Sequence, residues 1–245
     1  MLQIEQIKCK PDEPEKLLLK KAAAVLRINP GEIQNLQVFR RAIDARESVS
    51  LVYTLRLQVK NEMQVLRRCR SKQVSQVKET PYRLPEPMCA QEVRPVVVGA
   101  GPGGLFAALT LARCGLRPIL LERGKCVEQR QEDVTRFWAT GLLNPDSNVQ
   151  FGEGGAGAFS DGKLNTGTRD MRHRFILETL VHHGAPDSIL RDAKPHVGTD
   201  YLHKTLISLR RELDALGCEI RFSHRLTGLV TEGCLRSEII STRFI

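Results

Sequence analysis

The chain has 245 residues, 41% of them hydrophobic and 27% charged, and a formal net charge of +9 at neutral pH. This is the make-up of an ordinary soluble globular protein, long enough for one large domain or two modest ones. It excludes a membrane-spanning role, because no stretch nears the ~20 consecutive apolar residues of a bilayer helix, and MLQIEQIKCKPDEPE lacks the apolar run and cleavage site of a secretory leader.

Residues 2–10 alternate as a strand does. Asp12 and Pro14 suit the first turn of a helix through LLLKKAAAVLRI, which stops before Asn29-Pro30-Gly31. Residues 36–45 and 50–59 read as strands, the second rich in β-branched and aromatic side chains, and NEMQVLRRC as another helix. The β-α-β-β-α order predicts a small α+β, ferredoxin-like module over residues 1–80. PYRLPEPM places three prolines in eight residues, so residues 81–92 form the expected linker and residues 93–245 a second domain.

Seven cysteines, at 9, 69, 89, 114, 126, 218 and 234, are scattered, and none forms a C-x-x-C pair. This speaks against a zinc ribbon or a dithiol site and fits a reducing, cytoplasmic setting. Residues 1–90 carry seventeen Lys/Arg against ten Asp/Glu. A basic module can meet RNA, but these charges are dispersed and lack interleaved aromatics, so a solvated surface is the expectation and nucleic acid is not an expected partner.

The sharpest signal runs from residue 93 to 124, VRPVVVGAGPGGLFAALTLARCGLRPILLERG. Val96-Val97-Val98 form the apolar run of a buried parallel strand. Gly99, Gly101 and Gly104 then give G-x-G-x-x-G, with Pro102 and Gly103 between them. Such a loop turns tightly at its first glycine, admits a pyrophosphate at its second and packs helix on strand at its third. The helix that follows presents Leu105, Ala108, Leu109 and Ala112 on one side, ends at Gly115, and aims its amino terminus at the phosphates. A second strand, PILL, ends at Glu122, 23 positions after Gly99, close to the ~20 expected of the acid that binds ribose hydroxyls. An acid there argues against a 2′-phosphate, hence against NADP at this site, and leaves FAD and NAD both open.

Glu122-Arg123-Gly124 after the second strand resembles the glutathione-reductase-like group of FAD-binding proteins. With GLLNPDSNVQFGEGGAGAFSDGKLNT at 141–166, KPHVGTD at 194–200 and FRRAIDAR at 39–46, the chain resembles a poorly characterised family of FAD-dependent dehydrogenases with an N-terminal accessory domain. The resemblance implies FAD as cofactor and an α/β Rossmann-like domain after the ferredoxin-like one. It implies that Gly162-Lys163-Leu164-Asn165 lies along the cofactor, Lys163 offsetting its negative charge and Asn165 supplying a hydrogen bond. It also implies a backbone contact from Leu226 to the adenine. Gly152, Gly154, Gly155, Gly157 and Gly162 are expected to let backbone amides crowd the ligand.

Thr199 or Asp200 is the expected cap of a helix carrying Leu202, Leu206, Leu209, Leu213 and Leu216, and EIRFSHRL the strand after it. Candidates for proton transfer are His196, Glu153 and Asp161; His182-His183 before Gly184 fits a dipole-stabilised helix end, and no cluster has metal-ligand spacing. The tail, CLRSEIISTRFI, departs from the family's continuation, so the chain reads as C-terminally truncated, with weak FAD affinity expected. Three readings stand: an FAD-dependent oxidoreductase of unknown substrate, drawing on NAD(P)H or another electron partner; an NAD-binding dehydrogenase; and a non-enzymatic binding module with a basic N-terminal domain.

Overall fold

A computed structural model describes residues 1–78, 80–86, 93–160, 162–164, 170–232 and 236–243, the backbone alone from residue 230 onward. The chain divides into two compact units. The first comprises Met1–Pro81, Asp187–Pro195 and the described part of Asn165–Arg174; the second holds the remainder.

The first unit runs β1 (Leu2–Cys9), α1 (Leu17–Leu26), β2 (Ile33–Asp44), β3 (Ser50–Val59), α2 (Glu62–Cys69) and β4 (Val74–Gln76). Its sheet has the order β2-β3-β1-β4 with every pairing antiparallel. Alternation along β1 and β3 buries Leu2, Ile4, Tyr53, Leu55 and Leu57 on one face, where Leu18, Ala22 and Leu26 of α1 and Val65 of α2 close the core. Each fully buried leucine or isoleucine there contributes about 1.5–3 kcal/mol of transfer free energy. Gln6, at φ 60, marks a bulge where the β1–β3 register shifts between Ile4 and Ile7. The outer edge of β2 is met by Asp187–Pro195: Arg41 donates its amide to Arg191 (2.6 Å), accepts from Ala193 (2.8 Å), and pairs its guanidinium with Asp192 at 2.8 Å.

The second unit is built on a parallel sheet of order β5-β6-β7, formed by Val96–Val98, Ile119–Leu121 and Glu219–Arg221. The helices are α3 (Pro102–Arg113), α4 (Val127–Thr140), α5 (Arg172–His182, of this unit from Phe175) and α6 (Thr199–Ala215). Strands β8 (His224–Glu232) and β9 (Arg236–Arg243) form an antiparallel hairpin. Leu105, Ala108, Leu109 and Ala112, the stripe read from sequence, pack with Leu206, Leu209 and Leu213 of α6 and Leu120 of β6.

Several local expectations give way. Pro14 precedes α1 instead of opening it, its carbonyl accepting from Leu17 at 3.0 Å. Gly198, at φ 80, caps α6 in place of Thr199 or Asp200. The strand read across residues 219–226 breaks at Ser223, whose φ of 56 turns the chain from β7 into β8. His183 answers to side chains as well as to a helix end: it meets Ser208 Oγ at 2.9 Å and Glu212 at 2.8 Å, while burial pushes its pKa down. Helix α4 and strands β4 and β9 add to the elements read from sequence. Among the described residues, no helix is long and apolar enough to cross a membrane.

Candidate cofactor site

The first glycine loop joins β5 to α3. Gly99 takes φ 95, a turn closed to most side chains, and donates its amide to Leu121 of the neighbouring strand at 2.7 Å. Gly104 is sterically required: a Cβ there would stand 1.8 Å from the Gly99 carbonyl oxygen. Gly101 differs. Its φ of −72 suits any residue, and a Cβ would meet nothing within 4 Å; Gly103 is equally open. Pro102 occupies the first helical position, where its missing N–H costs nothing. The first intrahelical bond runs from Leu105 N–H to Gly101 O at 2.9 Å, so the amides of Gly103 and Gly104 precede it and form part of the helix's positive end.

Glu122 directly follows β6 and is 6% exposed. One carboxylate oxygen accepts the Ala100 amide at 2.6 Å; the other accepts those of Gly124 (2.8 Å) and Gly152 (3.0 Å). A carboxylate has about four lone-pair sites, so roughly one is left for a hydroxyl. Arg123 is half-buried, its guanidinium 3.8 Å from the Phe151 ring centroid.

The second glycine loop folds onto the first. Gly154 donates to the Ala100 carbonyl at 2.8 Å, and a Cβ on Gly155 would come within 3.2 Å of Gly101 Cα. The space its glycines vacate is filled by protein rather than left for a ligand, contrary to the sequence expectation for most of them. A Cβ on Gly152 would meet Arg130 Cδ at 2.4 Å, one on Gly154 would meet Leu206 at 2.5 Å, and one on Gly162 would meet the Gly198 backbone at 2.7 Å; only Gly157 faces open space among those expected to line the ligand. The residues after Gly154 coil into a 3-10 turn, Gly155–Phe159, and the Ala158 carbonyl lies 3.0 Å from His203 Nε2 on α6.

Glu153 is 1% exposed. Its carboxylate accepts the Val127 amide at 2.8 Å and Arg210 Nη1 at 2.7 Å, and burial outweighs both in raising its pKa to about 7. Its carbonyl and that of Asn148 accept from Arg130, a completely buried arginine that sequence reading passed over. The signal for it was present: Val127, Arg130 and Val134 share one helical face, so an arginine sits on an apolar stripe.

Of the other sequence candidates, the described ones, Lys163, His196 and Leu226, belong to the second unit. His196 is exposed, and its backbone bridges that of Lys163, which is also exposed. Leu226 is half-buried in β8 opposite Ser241. Asp161 and Asn165 lie outside the described residues. Among the described residues, no group of three His, Cys, Asp or Glu side chains is arranged to hold a metal ion.

The protein's residues fit a dinucleotide: open backbone at Gly101 and Gly103, a helix amino terminus behind it, and a buried acid at the end of the second strand. Comparison with known proteins agrees. Residues 94–161 match the model of an FAD binding domain, and residues 1–60 match a domain of unknown function (DUF8436). An uncharacterized protein of Clostridium beijerinckii is 40% identical over 249 residues, taking in the whole of this chain and 46% of its own length. The chain thus spans about half of that relative. The domain match supports a flavoprotein family, with FAD as the cofactor.

Proposed function

We propose that the chain is the adenosine-pyrophosphate-binding part of an FAD-dependent oxidoreductase, with a ferredoxin-like accessory domain in front. The observation that carries this is Gly101. Neither backbone strain nor packing asks for glycine there, whereas a pyrophosphate approaching the backbone does. Bound FAD would supply the hydride and electron chemistry. The chain's own part is to bind and orient. The amides of Gly103 and Gly104 point the α3 terminus at the phosphates, Glu122 offers its remaining lone pair to a ribose hydroxyl, and Arg123 with Phe151 forms a flat wall beside it. Lys163 and Asn165 neutralise and bond the cofactor further along, and Leu226 contributes backbone to the adenine. NAD(P)H or another electron donor completes the reaction. In the first unit the strand order β2-β3-β1-β4, read from its other edge, is that of the split β-α-β arrangement. The NAD-dehydrogenase and binding-module readings gain no support from the domain match.

The test is a visible spectrum of the purified full chain after incubation with FAD and gel filtration. Bands near ~370 and ~450 nm, those of oxidised flavin held as a redox cofactor, are expected from the native chain and not from Gly101→Ala. A native chain that neither keeps colour nor perturbs the flavin bands on direct titration with FAD would sink the proposal.

A further inference from the structure

Arg130 is a puzzle if α4 is read as a surface helix. Desolvating a guanidinium costs several kcal/mol unless it is well bonded, and burial pulls the pKa of this one down to about 10 even with Glu122 and Glu153 near enough to favour its charge. Its hydrogen bonds go to backbone: Nε donates to Asn148 O at 2.8 Å and Nη1 to Glu153 O at 2.7 Å. Nη2 is buried without a hydrogen-bond partner among the described residues. The aliphatic stem lies where a Cβ of Gly152 would be, and the guanidinium stands 4.7 Å from the Phe159 ring centroid. One side chain therefore touches the second glycine loop at residues 148, 152, 153 and 159.

The loop passes that hold onward. Gly152 gives its amide to Glu122, whose other oxygen takes the amide of Ala100, and Gly154 returns a bond to the Ala100 carbonyl. Ala100 lies between the two glycines that open the first loop. The planar fork of arginine suits two divergent carbonyls, where a lysine ammonium acts as one point charge.

We propose that Arg130 is a positioning residue for the cofactor: it clasps the second glycine loop against the first, so that the adenosine-pyrophosphate cradle is formed before FAD arrives. The proposal rests on the FAD reading above. Preorganisation of this kind raises affinity by sparing the ordering cost at binding. Lysine at 130 keeps a charge but loses one of the two carbonyl bonds, and methionine keeps only the stem.

The test uses the full chain in two measurements, FAD titration by flavin fluorescence and amide hydrogen exchange of the cofactor-free protein. Arg130→Met is expected to weaken FAD binding at least tenfold, with Arg130→Lys between it and the native chain. Exchange should speed up in peptides covering residues 148–160, while α3 and the first unit keep their protection. Native affinity in a folded Arg130→Met chain would overturn the proposal, as would protection lost evenly across the second unit. Where Arg130→Met does not fold, Arg130→Lys decides: weaker binding with loop-confined exchange supports the clasp, and native values for both overturn it. A native chain that takes up no FAD refutes the FAD reading instead, and the exchange data still report whether Arg130 holds the loop.

Discussion

The two glycine-rich segments of the second unit use the same residue for opposite ends. In the first, Gly101 and Gly103 vacate space that the protein leaves open. In the second, Gly152, Gly154 and Gly162 vacate space that Arg130, Leu206 and Gly198 take up at once. The open positions of the first loop leave room for the proposed cofactor, whereas the second is glycine-rich chiefly to let protein press against protein. Composition alone does not separate these cases; the neighbours of the missing Cβ do.

That contrast can be broken at single positions. Gly104→Ala should have the largest effect on stability, because its Cβ would sit 1.8 Å from a backbone oxygen that has no easy way to move. A loss of roughly 3 kcal/mol or more is expected, read as a lower urea midpoint or failure to fold. A change under ~1 kcal/mol would mean the loop relaxes freely.

Next comes pH. Glu153 carries a pKa raised from 4.5 to about 7. The folded state therefore holds its proton more tightly than the unfolded chain, and this group's contribution to stability is present in full below pH ~4.5 and is lost as pH rises through ~7. The loss is at most about 3 kcal/mol by linkage. His183, with its pKa pushed down, acts in the opposite sense as pH falls. Comparing native and Glu153→Gln urea midpoints at about pH 5.5 and pH 8 isolates the glutamate: the native chain should lose more stability on going to the higher pH. Equal losses would show that Glu153 titrates as an ordinary carboxylate.

Gly152→Ala should cost about 2 kcal/mol, since φ 124 disfavours alanine and the Arg130 stem must shift. Flavin retention should fall with it. Gly101→Ala belongs at the bottom of the stability ranking, within about 1 kcal/mol of native as an exchange at a helix cap, yet should abolish flavin retention. If its thermal transition moved as far as that of Gly104→Ala, the first loop would be packed like the second and the contrast would fail.

The first loop was legible because each of its signals is local: three valines, three spaced glycines, an apolar stripe on one helix and an acid at the next strand's end. The second loop's glycines were visible but their reason was not, since Arg130, Leu206 and Gly198 lie far along the chain from the glycines they fill. Helix α4 was hidden by its polar make-up, VEQRQEDVTRFWAT, and strand β4 by being three residues long. Glu153 looked like a proton donor on a loop. Its carboxylate is buried, accepting from Val127 and Arg210.

The pairing of Arg41 with residues 191–193 bears on how the gene can be dissected. The first unit is written in separate stretches of the sequence, Met1–Pro81 and Asp187–Pro195 among them. A clone stopped at residue 81 encodes a sheet whose β2 edge has lost its bonding partner, and bare edges invite aggregation. Function of this unit is better assigned by point changes in the intact chain than by truncation.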